Sequence, residues 1–465
     1  MFLEAVYIST YTILVSLGLF ALYQSRYYHN KTTSDFTSAK KHSYLRVMWS
    51  MYSASVGAWV SVAPSQYASY AGILGLIMYA LSSAMPILVI SLMSGKMANV
   101  SSLNEFIHKR FGIYAQFFVL LLSMLNMGIA LVAEYTTIGS IFKEVVHSSP
   151  IPTMIIIGLI TMCYTSIGGV AVSIVTDQVL AILTMVLLSI AFIYICVFFR
   201  PELPPLPDNL GINEAGFSSI LTMPLSLISS TIYSEAMWQR VNASVDKKSL
   251  YISAVGSSFI VFVVLMFYGL VGFFVTWSDP LVINDPNTIF FHIFGDMQSW
   301  IVVIAIIIAA MMSQSAIDSL QNALVAAICS NFRAFKNVNY ARFTVFLINI
   351  PAIIISLQMY PILNLFLLVN LMTACCLTPL LIGLMDLIYT EWMFLLGCVV
   401  AMMSVSAVGI IESDLNFSDG MYWAWFANGY DYKYFLTAIL MSTATVMLCI
   451  IGTSLITRKT FRIKQ

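Results

Sequence analysis

Charge is what this chain of 465 residues lacks: Lys, Arg, Asp and Glu make up 9% of it, and the formal net charge at pH 7 is zero. That balance offers no footing for a nucleic-acid partner or for an acidic protein partner. Cysteine is sparse. None of the seven (Cys163, Cys196, Cys329, Cys375, Cys376, Cys398, Cys449) is spaced as a metal ligand set, and Cys375 and Cys376 are too close for an ordinary disulfide. They read as small packing residues. The five histidines (His29, His42, His108, His147, His292) fall in loops or at the edges of apolar segments. Ser/His/Asp and Cys/His catalytic sets therefore have no support, and no enzyme is expected. Long polar stretches are missing too, so there is no soluble appendage of the size of a kinase, nuclease or receptor domain.

What is present is hydrophobic. Sixty per cent of the residues are apolar, and runs of roughly 20 such residues recur throughout, the length that crosses a bilayer as a helix. We expect an all-α integral membrane protein of thirteen spans, at 5–25, 46–66, 69–95, 113–142, 151–167, 173–199, 217–238, 250–277, 298–327, 341–359, 361–388, 390–411 and 434–457. The first span has no basic segment before it, so it is not expected to be a cleaved signal peptide. With the N-terminus outside and the C-terminus cytoplasmic, every basic residue of the 21 except Lys143, Arg200 and Lys433 falls on the cytoplasmic side. The positive-inside rule predicts that asymmetry, and one span more or fewer would scramble it. Of four glycosylation sequons, those at Asn30, Asn99 and Asn242 are then cytoplasmic and only Asn416 faces outside. A multi-pass protein of the plasma membrane is the expected location.

Trp49 to Gly72 (WSMYSASVGAWVSVAPSQYASYAG) is apolar enough to enter a bilayer yet reads poorly as one uniform helix. Ser50, Ser53, Ala54, Ser55, Gly57 and Ala58 are small, and Pro64 follows. In lipid such a segment survives where it is packed in protein or lines a wet cavity. Broken helices of this kind form substrate and ion sites in transporters, while small residues equally serve tight helix packing. Three further stretches carry polarity into apolar spans. Tyr164–Gln178 (YTSIGGVAVSIVTDQ) has a Gly168–Gly169 turn and then Thr176 and Asp177. Ser226–Ser244 (SLISSTIYSEAMWQRVNAS) runs from Ser226, Ser229, Ser230, Thr231 and Tyr233 into Glu235 and Arg240, which we expect to pair at the membrane face. Ala309–Asn322 (AAMMSQSAIDSLQN) puts Ser313, Gln314, Ser315, Asp318, Ser319 and Asn322 inside one span, and an intramembrane ionisable residue is a functional hypothesis by default.

Taken in order, YTSIGG…TD at 164–177, MWQR at 237–240 and AAMMS…DS at 309–319 resemble the solute:sodium symporter family, which includes bacterial proline permeases, sodium-coupled sugar and iodide carriers, and fungal urea permeases. Residues 50–72 are also similar, without a gap, to the first core helix of the proline permeases. The resemblance covers roughly residues 46–388. It implies a five-plus-five inverted repeat of the leucine-transporter type. The chain then divides into 1–45 (first span and loop), 46–199 and 217–388 (the two five-helix halves), 200–216 (an external, Pro-rich loop) and 389–465 (two further spans and a short tail).

The resemblance further implies that the helices opening each half break at the midplane and hold the substrate, here through Ser55, Gly57 and Trp59 with Ser226, Ser229, Ser230 and Thr231. A sodium ion would sit on the carbonyls of Ser53, Val56 and Ala310, with Ser313 and Gln314. Gln314 departs from the family, which has Ser or Thr there, and Ser55 stands where the proline permeases have an acid. Asp177, Asp318 and Glu134 are candidates for a proton or ion path; Glu134, deep in its span with no basic partner in reach, is either a hydrogen-bonded structural acid or a proton carrier. The expected function is a symporter of a small polar solute driven by sodium or protons, by alternating access. No Lys or Arg falls in a lining segment, which favours a neutral solute such as urea over an organic anion. A nutrient sensor that keeps the fold without completing the cycle is the alternative, though only a short tail follows the last span. No protein partner beyond the bilayer itself is inferred.

Overall fold

The computed structural model describes residues 2–463 other than 28–31, 38–40, 98–99, 101, 201–202, 296, 333–336, 386, 388, 415 and 428–429. His29 and the sequons at Asn30 and Asn99 lie outside the described residues. Within them the chain is helical throughout, without a strand.

A peripheral helix, α1 (Phe2–Ser25), and a short α2 (Thr33–Thr37) precede the core. α3 (Tyr44–Ser55) ends where Val56 and Gly57 turn extended; a 3-10 turn, Ala58–Ser61, and then α4 (Ala63–Lys96) resume the path. α5 (Leu103–Arg110) is a short amphipathic helix whose N-cap, Ser102, accepts from the Glu105 N–H at 3.1 Å. α6 (Ile113–Ser140) and α7 (Pro150–Phe198) follow. The second half opens with α8 (Glu214–Ile232), breaks at Tyr233 and the extended Ser234, and continues as α9 (Glu235–Asn242). α10 (Lys247–Ser278) starts at its N-cap Asp246, whose carboxyl takes the Ser249 N–H and is thereby held below the usual carboxylate range. Then come α11 (Ser299–Asn331), α12 (Val338–Ser356), α13 (Ile362–Gly383), α14 (Glu391–Glu412), α15 (Phe417–Tyr422) and α16 (Tyr432–Ile463).

Eleven of these elements are long and apolar enough to cross a membrane, against thirteen expected. The difference has a local cause. α4 and α7 each contain a glycine at positive φ, Gly72 (64°) and Gly169 (59°), where the helix is interrupted. A side chain is strained in that region, so glycine is what allows the chain to turn there without a loop. The Gly168–Gly169 turn read from the sequence is therefore present, but so tight that helix continues on both sides of it.

α11 is the most enclosed span, 83% of its apolar window being buried, and it lies at the centre of the bundle. It packs on α7, α6 and α1, while α4 runs beside α10 and α8. α14 and α16 pack on each other and reach the core through α13, α8 and α6. The two interrupted elements, α3 and α8–α9, thus meet α11 and α13 in the interior, where unpaired backbone groups need protein partners.

Candidate functional site

At the first interruption, Val56 still donates to Tyr52 O at 3.0 Å, but no hydrogen bond reaches the carbonyls of Ser53 or Val56 among the described residues. The freed donor on the far side is taken by a side chain from another helix. Ala58 N–H donates to Glu134 Oε2 at 3.0 Å, and the next N–H, of Trp59, is aimed at the same carboxylate. Glu134 of α6 thus caps the resumed helix with its carboxyl oxygens. Gly57 is what permits this approach, since a Cβ there would collide with Glu134 Oε1.

The second interruption is satisfied in the same manner. Trp238 Nε1 donates to the Ile232 carbonyl at 2.8 Å, and Asn126 Nδ2 of α6 donates to the Ser230 carbonyl at 2.7 Å. α6 therefore serves both breaks, one through Glu134 and the other through Asn126.

Between the breaks lies a cavity of about 140 Å³. Ser55, Gly57 and Trp59 face it from the first break, Ser230, Thr231 and Ser234 from the second. Glu134, Asn126, Phe366, Asn370, Tyr79 and Tyr430 close it. The hydroxyls of Ser55 and Thr231 donate back to their own helices, to Met51 O (2.9 Å) and Leu227 O (2.7 Å), which leaves their lone pairs free to accept. Trp59 and Phe366 meet edge to face at 5.5 Å. No Lys, Arg or His is among the lining residues, and Glu134 is the one acidic side chain there.

Ser226 and Ser229 lie elsewhere. Ser229 Oγ donates to Ser226 O (2.9 Å) and meets Thr373 Oγ1 of α13 (3.1 Å), so it faces the α8–α13 packing rather than the cavity; Ser226 is fully buried. Asn126, Asn370 and Tyr430 were missed in the sequence. The lone Asn126 and Asn370 in otherwise apolar spans were the available signal, and Tyr430, joined to Asn370 Nδ2 at 3.2 Å, lies in a loop stretch with no such cue.

The candidate ion ligands lie where α11 packs on α3 and the turn after it. Ser313 Oγ is fully buried and has no hydrogen-bond partner; it faces Glu134 without bonding geometry. Gln314 Oε1 is likewise buried and unpartnered, while its Nε2 is drawn to Leu14 O of α1 at 3.5 Å. Ala310 is buried on the same helix. The unpaired oxygens on α11 and the bare carbonyls at Ser53 and Val56 are hard donors, the type a monovalent cation takes. No cluster of three or more His, Cys, Asp or Glu that could hold a metal occurs among the described residues.

One turn deeper, Arg240 is fully buried and pairs with Asp177 at 3.1 Å, not with Glu235. It also donates to Ser50 (3.3 Å), Ser173 (3.2 Å) and Ser319 (2.6 Å). Asp177 accepts in addition from Ser50 (2.7 Å) and Ser315 (2.8 Å). Four elements, α3, α7, α9 and α11, are tied together by this one ion pair. The expected Glu235–Arg240 pair fails on geometry: five residues apart on a helix, the two side chains point about 140° from each other.

No family model matches the chain. A curated spermidine transporter of Candida albicans, DUR31, is 25% identical over 394 residues, which is 82% of this chain and 75% of that one. Among solved structures, a Na+-coupled sialic acid symporter superposes with a TM-score of 0.73 at 16% identity, covering 96% of this chain and 98% of the other. The two share one fold. Mhp1, a nucleobase-cation symporter, gives a TM-score of 0.52 at 13% identity over 90% of this chain and 96% of its own. The Eremococcus coleocola manganese transporter gives 0.56 at 12% over 90% and 99%. These relatives and neighbours are transporters, not enzymes.

Proposed function

We propose that the chain is a secondary active transporter that carries a small amine-bearing cation by alternating access, with Glu134 receiving the ammonium. The observation that carries this is the Glu134 carboxylate in a cavity whose lining has no basic side chain. In transporters with interrupted helices, a half-helix N-terminus commonly faces an anionic group of the substrate. Here the protein's own carboxyl group occupies that position, which removes the need for an anionic substrate, and an entering ammonium supplies the counter-charge with which it ionises. Trp59 and Phe366 add ring faces that attract an ammonium, and the free lone pairs of Ser55 and Thr231 accept its N–H groups. This carboxylate moves the reading from a neutral solute such as urea to an amine, in keeping with the spermidine transporter among the relatives. A cavity of about 140 Å³ holds a short amine or one end of a longer one.

Sodium is the preferred coupling ion, on Ser53, Val56, Ala310, Ser313 and Gln314. The topology we favour is thirteen passages with the N-terminus outside. It follows from dividing α7 at Gly169 and treating α3 through Ala71 as an interrupted span, so that 46–199 and 217–388 form the two halves. The Arg240–Asp177 pair then closes the cytoplasmic side.

The test is uptake into proteoliposomes of labelled spermidine and, separately, labelled urea, each under an imposed sodium or proton gradient. Gradient-driven spermidine uptake that is abolished in Glu134→Gln supports the reading. Urea uptake unaffected by Glu134→Gln, with no spermidine uptake, would overturn it.

A further inference from the structure

Two carboxyl groups and one guanidinium share the interior between α7, α9 and α11. Asp177, Arg240 and Asp318 are each no more than 1% exposed. Asp177 is fully engaged: Arg240 and Ser50 bind one oxygen and Ser315 the other. Asp318 is not. Its Oδ1 accepts from Thr165 Oγ1 (2.6 Å) and Asn322 Nδ2 (3.0 Å), whereas its Oδ2 is buried without a bonded partner; the Ser173 hydroxyl, which accepts from Arg240, faces the carboxyl without bonding geometry. One turn along the same face, Asn322 Oδ1 is also buried and without a donor. Two hard oxygen acceptors are thus left unpaired in the interior on side chains joined by the Asn322 Nδ2–Asp318 Oδ1 hydrogen bond.

A buried carboxylate without a counter-charge is strongly disfavoured, and the nearby guanidinium is bonded to Asp177. The charged or titratable groups facing Asp318 are Arg240 from α9, and Asp177 and Tyr164 from α7. Two acids against one base leave one negative charge to be balanced. We propose that Asp318 and Asn322 form a second monovalent-cation position, filled by a proton or by sodium and separate from the Glu134 cavity. When that cation leaves, Asp318 becomes a second ionised neighbour of Arg240 and competes with Asp177 for it. The occupancy of Asp318 therefore biases the ion pair that ties α9 to α3, α7 and α11. This consequence rests on the transporter reading; the binding does not.

The experiment uses the full chain in lipid nanodiscs with no amine present. Infrared difference spectra across a pH series read protonated carboxyl groups, and equilibrium binding of 22Na+ reads bound sodium, for wild type, Asp318→Asn, Asn322→Ala and Glu134→Gln. If the cation is a proton, a protonated-carboxyl band of the wild type is missing in Asp318→Asn and kept in Glu134→Gln. If it is sodium, Asp318→Asn loses a bound ion that Glu134→Gln retains. In either case Asn322→Ala weakens the titration about tenfold, as loss of one ligand would, which keeps the test open if Asp318→Asn does not fold. Asp318→Asn protein with the carboxyl band and the bound sodium of the wild type would overturn the proposal. So would an unaltered titration in Asn322→Ala. Failure of spermidine uptake would leave these readouts untouched and fall on the transport reading alone.

Discussion

Glu134 and Gln314 show how a single side chain sets what the cavity and the ion ligands can accept. Glu134 joins two tasks, capping the helix that resumes at Ala58 and presenting a carboxyl group to the cavity. A glutamine there keeps an oxygen for the Ala58 N–H and removes the charge, so the cap survives while attraction for an ammonium does not. Gln314 sits where a hydroxyl would place a short, fixed oxygen beside Ser313. Its carboxamide oxygen is still a hard ligand, but the arm is longer and its nitrogen is tethered to Leu14 O on α1. Gln314→Ser replaces that arm with a hydroxyl next to Ser313 and releases the tether. Half-maximal sodium for uptake is expected to fall by about tenfold, the worth of one well-placed ligand. Measured sodium dependence that is unchanged or weaker in Gln314→Ser would show that Gln314 already coordinates well, or that sodium binds elsewhere.

At the scale of elements, α9 acts as a bolt. Through Arg240 it joins α3 at Ser50, α7 at Asp177 and Ser173, and α11 at Ser319, all in the dry interior. Removing one partner of a buried pair strands the other charge, at a cost of about 3–5 kcal/mol, whereas removing both costs far less. Arg240→Met should therefore lower thermal stability in detergent sharply, and Arg240→Met with Asp177→Asn should recover most of the loss. A double variant that melts no higher than the single one would mean that the pair does not hold these helices. The breaks in α3 and α8–α9 were legible because small and hydroxyl residues cluster at each, and the Gly168–Gly169 turn because only glycine takes that backbone without strain. The partners were not. Arg240 meets Asp177 across 63 residues of sequence, and Glu134 meets Ala58 across 76. Local spacing offered Glu235 for the first and nothing for the second. Ser226 and Ser229 illustrate the same limit, since a hydroxyl-rich helix has several faces and composition alone does not say which one meets the cavity.

For the molecule as a whole, the open question is which way it faces, and charge decides it through the loops. In the orientation with the N-terminus outside, Lys143, Arg200 and Lys433 are the external basic residues, and the loop after α14 is external with Asn416 in it. Asn416 is exposed and forms the N-cap of α15: its Oδ1 accepts from the Ser418 and Asp419 N–H groups, and its Nδ2 donates to Asp419 at 2.7 Å. A glycan on Nδ2 replaces the Asp419 bond and leaves the two capping bonds on Oδ1, so modification is compatible with the helix it starts. Asn242, at the end of α9, is half-buried and follows the Arg240 bolt on the cytoplasmic side of this orientation. Expression in a eukaryotic host should accordingly yield a protein whose mobility rises on glycosidase treatment, with the shift lost in Asn416→Gln and unaffected in Asn242→Gln. Loss of the shift in Asn242→Gln would invert the chain in the bilayer, and the Arg240–Asp177 pair would then close the external side.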